Sequence, residues 1–206
     1  MKPKMFETVA GYSAFLGGIT AFLYAVAFII ISKDNPQMGA LLSALFLFLT
    51  GVFAVKALVG LYFRLREVNE GFALTALLTG LFGAFGMMIH GGYDLANVIN
   101  APVANIPALA NLPSQIDPRG LLSFGAFGIA LLDFSWLMAY SKRFPKSLAY
   151  LGFLSGVLSI VLYLGRLTVL SPASPVILFP AVLNGFIVGP LWYTWLGMIF
   201  LRGKEA

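Results

Sequence analysis

The sequence predicts an all-α fold: one domain, residues 1–206, built as a bundle of six helices that cross a membrane. Of the 206 residues, 60% are hydrophobic and only 10% are charged, which is more apolar side chain than a water-soluble core of this size can bury. A helix needs about 20 apolar residues to cross a bilayer. Stretches of that kind cover residues 10–32, 39–63, 71–93, 119–141, 148–170 and 176–201.

The basic residues predict the orientation of the helices. Lysine and arginine accumulate in cytoplasmic loops, and here nine of them fall at one end of the predicted bundle against two at the other. Both termini are therefore predicted to be cytoplasmic. The nine are Lys2, Lys4, Arg64, Arg66, Lys142, Arg143, Lys146, Arg202 and Lys204, and the two are Lys33 and Arg119.

One connection, residues 94–118, is much longer than the others and is predicted to lie outside. It mixes prolines and asparagines with Leu, Ile and Val, so it is too apolar for a solvated linker and too rich in proline for a long helix. We expect an ordered loop or short broken helix over the outer mouth of the bundle. At its end, Asp117 is predicted to cap the fourth helix, with Pro118 at the first helical position.

Small residues recur at four-residue spacing in several stretches, a pattern that lets helix backbones approach closely in lipid. We expect these stripes to face other helices of the bundle. They are Ser13, Gly17, Ala21 and Ala25; Ala76, Gly80 and Ala84; Gly152 and Gly156; and Gly185 and Gly189.

The residue types that are scarce exclude much membrane chemistry. Without cysteine there is no thiol nucleophile and no Cys-ligated metal, and a single histidine excludes sites that need two imidazoles. We expect no catalytic residue, no metal and no cofactor; a haem held by His90 with Met87 or Met88, and a retinal on Lys56, are the disfavoured alternatives. The basic residues flank apolar stretches, so no nucleic-acid partner is expected.

Two opposite charges lie inside the predicted spans at matching depth. Lys56 is eight residues from Arg64, about 12 Å, and Asp133 is nine residues from Lys142, about 13.5 Å. Charges inside a membrane need a partner or a route to water. The match predicts an intramembrane ion pair between spans two and four. The alternatives are that Lys56 snorkels to the inner interface and that Asp133 is protonated.

A second polar group is predicted at the outer end, where residues from spans three, five and six reach one level. Arg166 continues a stripe of Ser155, Ser159 and Tyr163, which indicates that it faces inward. The predicted arrangement pairs Arg166 with Asp94 and completes it with His90 and Asn184. One interpretation is a network that ties helix ends. The other is an outward-facing pocket for a small anionic or amphipathic ligand, lined by His90, Tyr93, Asp94, Tyr163, Arg166 and Asn184.

The segments "DPRGLLSFGAFGIALLDFSWLM", "LYLGRL" and "GPLWYTWLG" resemble those of a family of small bacterial integral membrane proteins known only as a domain of unknown function. The resemblance covers the whole chain and is clearest in spans four to six. It implies six helices in the plasma membrane of a prokaryote. It implies no activity, cofactor or catalytic residue.

Three classes of function remain, and an intramembrane enzyme is the least favoured of them. We expect a non-enzymatic bundle that binds or transports a lipid or a small anionic ligand. The alternative is an accessory subunit that packs on other membrane subunits. A transporter should show interrupted helices, and Pro180 and Pro190 are positioned to interrupt span six.

Overall fold

The computed structural model describes residues 3–100, 116–169 and 174–202. Six helices in this part of the chain are long and apolar enough to cross a membrane, which confirms the predicted all-α bundle. We call the end that holds the connection between the third and fourth helices the outer end, after the predicted topology. The helices are α1 (Met5–Asp34), α2 (Pro36–Leu65), α3 (Glu70–Asn100), α4 (Pro118–Tyr140), α5 (Lys146–Thr168) and α6 (Pro175–Leu201).

Polar caps and prolines set the starts of these helices. The side chains of Asn35 and Asn69 accept hydrogen bonds from backbone N–H groups of α2 and α3, at 3.0 Å and 2.9 Å. Pro36 and Pro175 occupy first-turn positions, where no N–H is needed. At the outer end, α3 extends at least to Asn100, the last described residue of this segment and seven residues beyond the predicted end of the helix. The rest of the predicted outer loop, 101–115, lies outside the described residues.

The six helices form a ring in chain order, in which each packs on the next and α6 returns to α1. Glycines allow the close contacts. A Cβ on Gly51 would lie 2.5 Å from the carbonyl oxygen of Ala84, and one on Gly156 would lie 2.9 Å from that of Gly128. Gly17 and Gly80 likewise lie against neighbouring helices. These contacts confirm that the small-residue stripes face partners within the bundle.

Three helices depart from regular α-geometry, each through a π-helical turn in the outer half. These turns are Val26–Ile31 in α1, Leu121–Ala126 in α4 and Asn184–Val188 in α6. In α6 the cause is visible: Pro190 has no N–H to donate to Phe186, and the Gly189 N–H bonds to Asn184, five residues back. The proline pattern predicted the interruption of α6 but not those of α1 and α4.

A partly buried ion pair fastens the inner end of the ring. Arg64 on α2 donates two hydrogen bonds to the Glu7 carboxylate on α1, at 3.0 Å and 3.1 Å, and a longer one to the Ile199 carbonyl on α6, at 3.4 Å. Its guanidinium also lies 4.8 Å above the Phe200 ring. Three helices are therefore held together by one side chain, which the sequence indicated only as a topology signal.

Candidate functional site

A cavity of about 240 Å³ lies inside the ring, in the outer half of the bundle. All six helices contribute to its wall, and the π-helical turns of α1, α4 and α6 each supply lining residues. Most of the wall is apolar, from Leu47, Met87, Phe127 and Leu162 among others. Because π-helical turns often occur at functional sites, their concentration around one cavity marks it as the candidate site.

Two arginines stand at the outer mouth of this cavity. Arg166 comes from α5, and its guanidinium lies 5.6 Å from the Phe124 ring. Arg119 comes from the first turn of α4, where its φ of 60° is left-handed. A Cβ on the adjacent Gly120 would lie 3.2 Å from Nη1 of Arg166, so the start of α4 contacts this guanidinium. Within the described residues, neither arginine forms a salt bridge or a side-chain hydrogen bond.

Asp117 holds the backbone that presents Arg119. Its fully buried carboxylate accepts hydrogen bonds from the backbone N–H groups of Leu122 and Ser123, at 2.7 Å and 3.0 Å, and from the Ser123 hydroxyl at 2.6 Å. Burial alone would raise the pKa of Asp117, but these bonds and one from His90 hold that pKa at about 2. Asp117 occupies the predicted N-cap position, with Pro118 in the first turn, but its side chain makes no bond to that turn. It binds instead the backbone of the next turn, beyond the left-handed pair Arg119–Gly120.

His90 joins α3 to this cap. Its Nε2 lies 3.1 Å from Asp94 Oδ2, and its Nδ1 lies 3.4 Å from Asp117 Oδ2. Only an imidazole with both nitrogens protonated can donate to both carboxylates. The cluster of buried His90 and Asp117 with the partly exposed Asp94 thus ties the outer end of α3 to the start of α4. It lies beside the cavity, since none of the three residues lines it.

A polar ladder extends from the mouth into the cavity. The Ser155 hydroxyl donates to Asn184 Oδ1 at 2.8 Å, and Asn184 Nδ2 donates to the Ser159 hydroxyl at 3.0 Å. Ser155 is eleven residues from Arg166 on the same helix, so the ladder covers about 16 Å. All four residues line the cavity.

Tyr193 also lines the cavity. The residue is only 5% exposed, and its hydroxyl oxygen has no hydrogen-bond partner within the described part of the chain. A buried hydroxyl that leaves its bonds unmade is destabilising.

The structure brings together only part of the predicted outer cluster. Arg166 and Asn184 line the cavity, but Asp94 bonds to His90, and no salt bridge joins Asp94 to Arg166 in the described residues. Asp117 takes the place beside His90 that was predicted for Arg166. The predicted arrangement is wrong because depth along a helix was known and rotation about its axis was not.

The two predicted tyrosines do not line the cavity. Tyr93 is 38% exposed on the outside of α3, and the Tyr163 ring packs against Gly125 of α4. Tyr24 of α1 is the tyrosine at the mouth, within electrostatic range of Arg166, Asp94 and Asp117. The binding role of all these residues stays a prediction.

The predicted pair between Lys56 and Asp133 does not form within the chain. Lys56 is exposed on the outside of α2, and Asp133 is half-buried on a face of α4 that also exposes Ile129 and Trp136. Both side chains face away from the ring, and α3 separates their helices for most of their length. The depth estimate gave their position along each helix but not the direction in which their side chains point.

Sequence reasoning missed three residues that shape the site: Arg119, Asp117 as a partner of His90, and Tyr193. Arg119 carried a usable signal, because it is one of only two basic residues predicted on the outer side. Tyr193 resembled ordinary packing in an aromatic segment and carried none.

Comparison of the chain with protein-family models, with curated proteins and with solved structures found no match. The family resemblance noted above therefore stays a prediction. Function is argued from the geometry of the cavity.

Proposed function

We propose that this multi-pass membrane protein binds a small amphipathic anion in its central cavity, with the anionic group held by Arg119 and Arg166. The observation that carries the proposal is a pair of guanidiniums at the mouth of an apolar-walled cavity, without a carboxylate partner among the described residues. The role is one of binding, and no catalytic step is proposed.

The charges explain why the ligand is an anion. Two arginines that line one cavity without carboxylate partners in the described residues carry uncompensated like charge, which costs free energy. Asp94 and Asp117, the nearby carboxylates, are bonded to His90. A carboxylate or phosphate group from outside the chain can accept forked hydrogen bonds from both arginines and offset this cost.

The wall explains why the ligand also has an apolar part. Leu47, Met87, Phe127 and Leu162 surround the space below the arginines, and a hydrated inorganic ion gains nothing from such contacts. The Asn184 ladder adds a few polar atoms at depth, which fit a carbonyl or hydroxyl group along the ligand. An amphipathic acid offers an anionic group to the arginines at the mouth and an apolar part to the side chains of the wall.

The test uses the full chain in phosphatidylcholine nanodiscs and three probes: dodecyl phosphate, dodecanol and inorganic phosphate. We expect dodecyl phosphate to raise the unfolding temperature, since a ligand that binds only the folded state stabilises it. Dodecanol and inorganic phosphate should each have a much smaller effect. Equal stabilisation by dodecanol would contradict the proposed anion site.

Arginine variants locate the site. Arg119→Gln and Arg166→Gln should each weaken dodecyl phosphate binding roughly tenfold or more, because a hydrogen bond to a charged group contributes about 1.5–3 kcal/mol. Without ligand, both variants should be at least as stable as the parent, since each removes one of two like charges that have no carboxylate partner in the described residues. Arg202→Gln at the inner end is the matched control and should bind normally. Unchanged affinity in both outer variants would refute the site.

A further inference from the structure

The outer surface of the ring carries two opposite charges at one level within the membrane. Lys56 on α2 and Asp133 on α4 lie about 12 Å and 13.5 Å from the basic residues that mark the inner side. Neither forms a salt bridge within the described residues. Lys56 has a long stem that can reach the interface, but the short side chain of Asp133 cannot, so a lipid-facing position leaves Asp133 unsatisfied.

The helix between these charges presents a regular apolar seam. Leu78, Phe82, Phe85 and Ile89 on α3 are 53%, 67%, 49% and 53% exposed. Their spacing of four, three and four residues is that of a coiled-coil seam, which packs against a second helix. Leu78 lies eight residues from Glu70, about 12 Å, so it stands at the level of both charges.

We propose that two copies of this chain associate in the membrane through the face formed by α2, α3 and α4. A two-fold axis along the membrane normal, placed at the α3 seam, sets α2 of each copy opposite α4 of the other. Lys56 of each copy then meets Asp133 of the other copy, so the interface contains two ion pairs and leaves none of these charges unpaired. The charge pattern therefore selects a second copy as the occupant of this face.

This inference is independent of the proposed ligand. The cavity faces the inside of the ring, whereas Lys56, Asp133 and the seam face away from it. Loss of the interface should leave the affinity for dodecyl phosphate unchanged, so the two proposals fail separately.

Disulfide trapping tests the interface, because the chain has no cysteine of its own. A residue beside a two-fold axis meets its own copy, so Leu78→Cys should form a disulfide-linked dimer in oxidised native membranes. The matched control is Leu191→Cys on α6, across the ring, where the side chain is 54% exposed. We expect at least a fivefold higher dimer yield for Leu78→Cys. Equal yields at both positions, or no dimer at Leu78, would overturn the proposal.

Charge reversal tests the pairing itself. In the Leu78→Cys background, Lys56→Asp or Asp133→Lys alone should reduce cross-linking severalfold, because each places like charges opposite each other. The double variant restores opposite charges and should recover the yield. If the double variant cross-links no better than the single ones, the ion pairs are refuted. A face that contacts only lipid, or a different subunit, gives no trapped homodimer in either experiment.

Discussion

Arg119 and Gly120 are consecutive residues with left-handed backbone conformations, with φ of 60° and 79°. Arginine adopts this conformation rarely, and it is held here by the bonds of Asp117 to Leu122 and Ser123. The reversal turns the Arg119 side chain toward the cavity before α4 becomes regular. Two unusual backbone angles therefore place half of the proposed anion site.

Gly120→Ala is expected to destabilise the protein by about 1–3 kcal/mol, the usual cost of a strained backbone position. The new Cβ would also overlap the Phe124 ring and press on Nη1 of Arg166, so dodecyl phosphate binding should fall as well. Thermal unfolding in nanodiscs measures the first effect and ligand titration the second. Gly71→Ala is the control, because a Cβ there meets only Asn69 Oδ1 at 3.8 Å. An equally mild effect at both glycines would contradict this role for Gly120.

The helices around the cavity depend on irregular turns to aim their side chains. Each π-helical turn inserts one extra residue, which rotates the following part of the helix relative to the preceding part. In α6 the turn begins at Asn184, whose amide contacts Ser155 and Ser159 on α5. A regular α-helix would carry Asn184 and Tyr193 on faces that differ from those observed.

Pro190→Ala is predicted to separate stability from binding. Alanine at position 190 supplies a backbone N–H that can donate to the Phe186 carbonyl, so α6 can become regular. The free energy of unfolding should therefore stay equal or rise. Asn184 would then rotate relative to Tyr193, and the affinity for dodecyl phosphate should fall severalfold. Pro175→Ala is the control, because residue 175 lies in the first turn of α6, where a backbone N–H has no partner within the helix. This variant should leave the affinity unchanged. If Pro190→Ala binds as tightly as the parent, the turn does not set the site.

The orientation of the whole molecule stays a prediction that rests on its basic residues. Gln37 and Ser147 are exposed at opposite ends of the bundle, and single cysteines at these positions report on its two sides. A membrane-impermeant thiol reagent on intact cells should label Gln37→Cys and leave Ser147→Cys unlabelled until the cells are broken. The reverse pattern would invert the topology and turn the cavity mouth toward the cytoplasm.

The sequence was informative about whatever depends on length and depth along a helix. Apolar stretches predicted all six helices. The periodicity of Ser155 and Ser159 correctly placed Arg166 on the face of α5 that points into the ring. Properties that depend on rotation were not predictable. Lys56 and Asp133 face away from the ring on separate helices, and His90 bonds to Asp117, next to the left-handed reversal at the start of α4.

The hydrogen bonds of Arg64 to Glu7 and Ile199 have a consequence for the route by which a ligand would enter and leave the cavity. Arg64 joins α1, α2 and α6 at the inner end, and two of these helices, α1 and α6, carry π-helical turns in their outer halves. If the proposed ligand binds in the cavity, a bundle fastened in this way at its inner end would admit and release it at the outer mouth, on one side of the membrane.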